Sequence, residues 1–175
     1  MLHHLAFDQL LNFLEGNNLG YKLSKRSLEK LEGVDERLQT IVKTAIHNTK
    51  VDFGCICGLR TIQEQRELVE SGASQTMKSK HLEGRAVDLM AYVGSRASWE
   101  LNLYDDIADA IAQAARDIGV GICWGAAWST AALPYPMDMR QWNGTMEDAM
   151  NAYIDKKRDM KKRAFIDGPH FELIV

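Results

Sequence analysis

Apolar residues recur at helical spacing between Val34 and about His47, where Leu38, Ile41, Val42, Ala45 and Ile46 share one face. Asp35 and Glu36 precede them, at the end where a helix dipole favours acids, so the pattern predicts a helix. The period then shortens. In VDFGCICGL, Val51, Phe53, Cys55, Cys57 and Leu59 recur at every second position, as in a strand, with both cysteines on one face. Thr61 and Glu64 have the spacing of a capping box that opens the helix IQEQRELVES, and Gly72 closes it. GRAVDLMAY reads as a second strand and VGICW as a third. Between them, LYDDIADAIAQAARDIG places Ile107, Ile111, Ala114, Ala115 and Ile118 on one helical face and ends at Gly119. Thr145 and Asp148 predict another cap, opening a helix through MEDAMNAYIDKKRDMKKRAF, and IDGPHFELIV reads as a last strand after a Gly168–Pro169 turn. Upstream, residues 1–20 form an amphipathic lead-in, and Ser27 is placed to cap a helical turn before Gly33.

Alternating helices and strands suit a parallel doubly wound sheet, yet the strands are few and no glycine-rich phosphate loop follows any of them. An α+β fold is the reading adopted: a small, mainly antiparallel sheet, helices packed on one side, and the chemistry on the open side. The length, 175 residues, fits a single domain, with 1–26 as lead-in and 129–166 as an inserted loop and helix. No run of apolar residues is long enough for a membrane-spanning helix. Lys+Arg 21 against Asp+Glu 24 gives a net charge of −3, which argues against nucleic acid as a partner. The odd cysteine count, 3, and an N-terminus unlike a secretory signal point to reduced thiols in a protein made in the cytoplasm. Cys55 and Cys57 with His47 lack the paired spacing of a structural zinc site and are read as buried free cysteines.

Of the histidines, His81 and His170 stand beside turns and acids at the edges of strands. Asp88 follows His81 by seven residues, with Gly84 allowing a turn between them, and alternation puts His170 and Glu172 on one face. Two imidazoles and one carboxylate are a recurrent ligand set for catalytic Zn²⁺, although this spacing alone does not select it.

Four fragments in order, GLRT (58–61), SKHLEGRAVDL (79–89), WGAAW (124–128) and DGPHFEL (167–173), resemble the landmarks of the D-alanyl-D-alanine carboxypeptidase and L-alanyl-D-glutamate endopeptidase family of zinc peptidases. The likeness spans roughly residues 27–175 and is nearest to the phage endolysin branch. It implies His81, Asp88 and His170 as Zn²⁺ ligands, Asp167 as general base and Arg60 as the cation at the scissile carbonyl. It also implies Ser79 and Gln65 near the substrate or a ligand. Glu172 is expected to support an imidazole N–H, with general base or an ordinary surface carboxylate as its rival readings, and Trp124 and Trp128 to wall the cleft or pack in the core. The implied substrate is the peptidoglycan stem peptide. A monomeric endolysin that cuts the L-Ala–D-Glu bond, reaching the wall from the host cytoplasm through a membrane lesion, is the first expectation. A D-Ala carboxypeptidase or dipeptidase is the second, and a catalytically silent wall-binding module the third.

Two departures stand out. Ala127 occupies a position that is often acidic in the family, and 129–166 is longer than the usual loop. Within that segment, KKRDMKKR (156–163) either contacts anionic wall polymers or is an ordinary solvated helical face. Met137, Met139, Met146, Met150 and Met160 are expected to fill gaps under the added helix.

Overall fold

The computed structural model describes residues 20–74 and 76–175. Residues 1–19 of the expected lead-in therefore lie outside the described residues. Helices α1 (Lys25–Lys30), α2 (Glu36–Asn48), α3 (Ile62–Glu70), α4 (Leu101–Ile118) and α5 (Met146–Asp159) alternate with strands. The strands are β1 (Asp52–Cys57), β2 (Ala86–Val93), β3 (Arg96–Ser98), β4 (Ile122–Trp124) and β5 (His170–Leu173). Short 3₁₀ turns occupy Lys80–Glu83 and Met139–Gln141. The sheet order is β1-β2-β5-β4 with β3 also on β2, and every pairing is antiparallel. The fold is α+β with a small antiparallel sheet, and the doubly wound alternative is excluded.

Register assigns the two faces. Val87 opposes Phe171, Leu89 opposes Cys55, Ala91 opposes Phe53, and Trp124 opposes Phe171. These residues are buried in one core with the apolar faces of α2 and α4, which pack against each other. Each fully buried aliphatic or aromatic side chain contributes about 1.5–3 kcal/mol. The other face carries Asp88 directly opposite His170, and Glu172 opposite Ala86. The core thus supports the sheet from behind while its polar face remains available for chemistry.

Local signals placed most elements well. Thr61 with Glu64 and Thr145 with Asp148 form capping boxes, and Gly119 takes the left-handed conformation that ends α4. Several expectations need correction. Ser24, not Ser27, caps α1, and Ser27 is buried within that helix. Helix α5 stops at Asp159, with Lys161 at positive φ, so the basic run does not continue it. Met160 is exposed, unlike the other four methionines of that segment, which are buried. Strand β3 was not anticipated, because three residues after a Gly94 turn carry too little pattern to read. The cysteines of β1 do not face one way. A register shift between Cys55 and Cys57 inserts a bulge, so Cys55 stays in the core while Cys57 turns to oppose Asp88.

Near the start of α4, Asp105 Oδ1 is buried and lacks a hydrogen-bond partner among the described residues. Burial, then the nearby Glu147, Asp109 and Asp106 carboxylates, push its pKa up to about 6 from 3.8. A raised acid pKa favours folding while the group is protonated. That contribution is complete below about pH 4 and is lost as pH rises through about 6, above which the charge weakens the fold. Asp105→Asn is expected to raise Tm by about 2–4 °C at pH 8, the equivalent of ~1 kcal/mol once solvent screening of this partly exposed side chain is allowed for. Thermal melts across pH check this, since the gain should vanish near pH 4; a constant gain would assign the effect elsewhere.

Candidate active site

Three segments converge on the polar face. His81 sits in the 3₁₀ turn Lys80–Glu83, whose N-cap is Ser79 and whose end is Gly84 at φ 64. A side chain on Gly84 would strike the Gly33 carbonyl, so this close approach requires glycine. Asp88 lies on β2 and His170 on β5. Gly125 serves the same site: its N–H donates to the His170 carbonyl at 2.8 Å and its carbonyl accepts from Asp167 N–H at 3.0 Å. A Cβ there would run into the Asp167–His170 turn. This explains the glycine of WGAAW.

Asp88 Oδ1 is 3.1 Å from His81 Nε2 and 3.1 Å from His170 Nδ1, and the two ring nitrogens are 3.3 Å apart. The three atoms form a nearly equilateral triangle. The far side of each ring is engaged as well. His81 Nδ1 lies 2.8 Å from the Gly58 carbonyl, and His170 Nε2 lies 3.2 Å from Glu172 Oε2. With protons on the outer nitrogens, as these acceptors favour, the inner lone pairs would be directed to one point where a cation could sit. Ligands each about 2.0–2.1 Å from a tetrahedral zinc are separated by about 3.3 Å, so the triangle has the size of a zinc ligand set.

Without a cation the three groups share protons. Burial raises the Asp88 carboxyl, but hydrogen bonds from His170 and His81 outweigh it and hold the carboxyl well below its usual range. Burial likewise pulls both imidazoles down, and the Asp88 carboxylate carries both up. A cation entering here would therefore displace protons, and its binding would weaken as pH falls.

Cys57 adds a donor that the period-two pattern had put in the core. Its Sγ, His81 and Asp88 offer ligand atoms within 4.8 Å of one another, a possible metal-binding cluster. The sulfur, however, is 3.7 Å from His81 Nδ1, the nitrogen already engaged by Gly58, and accepts from Arg60 Nη2 at 3.1 Å. The sulfur thus contacts the outer nitrogen of His81, while Asp88 Oδ1 and His170 Nδ1 contact the inner one. Cys55 and Cys123 have their thiols pushed up to about 12 by burial and are inert free cysteines.

The profile of the family described as phage L-alanyl-D-glutamate peptidase matches residues 19–145. The chain belongs to that family. The L-alanyl-D-glutamate peptidase of Escherichia phage T5 is 26% identical over 160 residues, covering 89% of this chain and 100% of that one. The enzyme of the same name from Listeria phage A118 is 38% identical over 71 residues, which are 41% of this chain and 24% of the relative. The solved structure of the L-Ala D-Glu endopeptidase ChiX of Serratia marcescens superposes with a TM-score of 0.63 at 32% identity, covering 90% of this chain and 94% of that one.

Around the triangle this peptidase forms a cleft of about 640 Å³. Arg60 is held on one side of it, donating to Gln65 Oε1 at 2.7 Å and lying 3.4 Å from Asp88 Oδ2. Gln65 is fully buried, and its amide donates to the Thr76 carbonyl at 2.7 Å and to Ser74 at 2.9 Å. It therefore fixes Arg60 and the adjacent cleft wall rather than facing the cleft. Ser79 lines the cleft, and its Oγ accepts from His81 N–H at 3.4 Å. Asp167 also lines the cleft, its carboxyl raised by burial and by Asp88 against the pull of His170.

The tryptophans separate. Trp124 is wholly buried, stacks on Phe171 and donates to the Gly168 carbonyl at 2.7 Å, so it belongs to the core. Trp128 walls the cleft, its ring 5.6 Å from that of His170. Beside it stand Tyr135 and Phe165, at centroid distances of 6.1 and 6.3 Å. Sequence reasoning had not singled these two out, because lone aromatics in an irregular segment carry no periodicity. The basic run is also less uniform than its composition: Lys156 turns inward to Ser129 Oγ and the Thr130 carbonyl, both at 3.0 Å.

Proposed function

We propose that this peptidase cleaves the L-Ala–D-Glu bond of the peptidoglycan stem peptide with zinc held by His81, Asp88 and His170. The observation that carries the reading is the triangle of inner donor atoms, separated by 3.1, 3.1 and 3.3 Å. Zinc, when bound, supplies Lewis acidity beside the scissile carbonyl and acidifies the attacking water. Asp167 takes the proton from that water and returns it to the departing D-Glu amine, a task suited to a carboxylate whose burial makes it more basic. Arg60, permanently charged, stabilises the oxyanion of the tetrahedral intermediate. Glu172 keeps the proton on His170 Nε2 and so keeps Nδ1 available as a ligand. Ser79 presents its hydroxyl to the substrate, and Gln65 acts through Arg60.

The same chemistry would serve a carboxypeptidase that releases D-Ala, and the names of the relatives favour the endopeptidase. The working form is a monomeric endolysin that meets the wall after membrane damage, with exposed Lys161, Lys162 and Arg163 against anionic wall polymers. Among the described residues no helix is long and apolar enough to cross a membrane.

The test is digestion of purified peptidoglycan by native, chelator-treated and zinc-restored protein. Mass spectrometry should find fragments with new D-Glu amino termini with the native and zinc-restored protein only. Release of D-Ala would transfer the assignment to the carboxypeptidase, and intact walls from several bacterial types with zinc bound would reject both.

A further inference from the structure

The cleft is electrically lopsided. Along one wall lie Arg60, Lys78 and Lys80, and neither lysine ammonium has an ion-pair partner among the described residues. Toward the β5–β4 side of the sheet order, away from β1, the lining is aromatic, made by Trp128, Tyr135 and Phe165, with the acids Asp167 and Glu172 beside them. Tyr135 and Phe165 are 62% and 54% exposed, and with Trp128 they form one aromatic patch open to a ligand. Both come from the 129–166 segment and both are held. Tyr135 Oη donates to Glu172 Oε1 at 3.4 Å. The Phe165 N–H donates to Tyr153 Oη at 3.3 Å, and its carbonyl accepts from Trp128 Nε1 at 3.1 Å. The Tyr135 ring is thus held through its hydroxyl and Phe165 through its backbone.

The stem peptide proposed above as substrate is lopsided in the same sense. On the amine side of the scissile bond D-Glu keeps a free α-carboxylate, and a diamino acid with further charge follows. On the acyl side L-Ala is joined through a lactyl group to an uncharged N-acetylated amino sugar, on the order of 7 Å away along the chain. Charge assigns the carboxylates to the lysine wall. The sugar then falls to the aromatic wall, where the weakly positive C–H face of a pyranose suits the negative faces of the rings.

We infer that Tyr135 and Phe165 form a subsite for the amino sugar attached to the stem peptide, so that the enzyme distinguishes glycan-linked peptide from free peptide. This rests on the stem-peptide reading and gives the 129–166 segment a task in recognition.

The experiment uses the zinc-loaded full chain and two substrates: the muramoyl-linked stem peptide, and the same peptide with an N-acetyl group in place of the sugar. The wild-type protein should prefer the first by roughly tenfold in kcat/KM, mainly through KM. In the Tyr135→Ala/Phe165→Ala double variant the ratio between the substrates should fall to about one, and Phe165→Tyr should restore part of it. A merely structural role would lower both substrates together and preserve the ratio, which would overturn the inference. So would equal use of the two substrates by the wild type. Trp99, 66% exposed beside a second groove that Asp167 also lines, supplies the rival location. Loss of the preference in Trp99→Ala would place the sugar there instead. Cleavage of neither substrate by the wild type would overturn the stem-peptide reading together with this one.

Discussion

Asp167→Ala is expected to abolish measurable hydrolysis while leaving metal content near that of the wild type. The side chain lines the cleft but takes no part in the triangle of donor atoms, so its loss removes a proton carrier and not a ligand. General acid–base catalysis by one positioned group is worth about 10²–10⁴-fold, which sets the expected fall in kcat. Backbone placement should survive, because Asp167 holds Gly125 and His170 through its own N–H and carbonyl. Metal analysis beside a turnover assay decides the matter. If the variant loses zinc, Asp167 is a ligand and the roles are misassigned; if it keeps normal turnover, the base lies elsewhere, with Glu172 next in line.

His170→Ala is expected to lose metal and activity together. Removing one of three donors leaves His81 and Asp88 facing an empty side, and weakens zinc by more than about 10²-fold, beyond what loss of an outer support costs. Glu172→Gln is the graded counterpart, since an amide oxygen still accepts from His170 Nε2–H but without charge, and a roughly 10–100-fold loss in affinity or activity is expected. An active, zinc-replete His170→Ala protein would exclude the triangle. The obvious substitute in that event is Cys57, already beside His81, and a double variant lacking both would identify it.

Much of this was legible in the chain because the relevant signals are local. Caps at Thr61 and Thr145, the stop at Gly119 and the alternation of HFEL are short-range facts, and the corresponding elements formed as read. His81, Asp88 and His170 were singled out by motif, and the β2–β5 pairing with the turn before β2 brings them together. What escaped depends on distant partners. The bulge that turns Cys57 out of the core is a property of the β1–β2 pairing and leaves no mark in FGCICGL itself. Gln65 resembles any polar helix residue until the Thr76 carbonyl and Arg60 are known to lie on either side of it. Tyr135 and Phe165 share a wall only because the chain leaves Trp128 and returns to it after the α5 excursion.

The direct opposition of Asp88 and His170 across β2 and β5 has a consequence for quality control. Side chains alternate along a strand, so a slip of one residue would drive His170 and Glu172 into the apolar layer and bring Phe171 out beside the carboxylate. Under the proposed ligand assignment a chain slipped by one residue would lack a complete donor set and would be catalytically mute rather than partly competent. An ion held there would thus act as a checksum on strand assembly: binding it would certify that the centre of the sheet has been put together correctly.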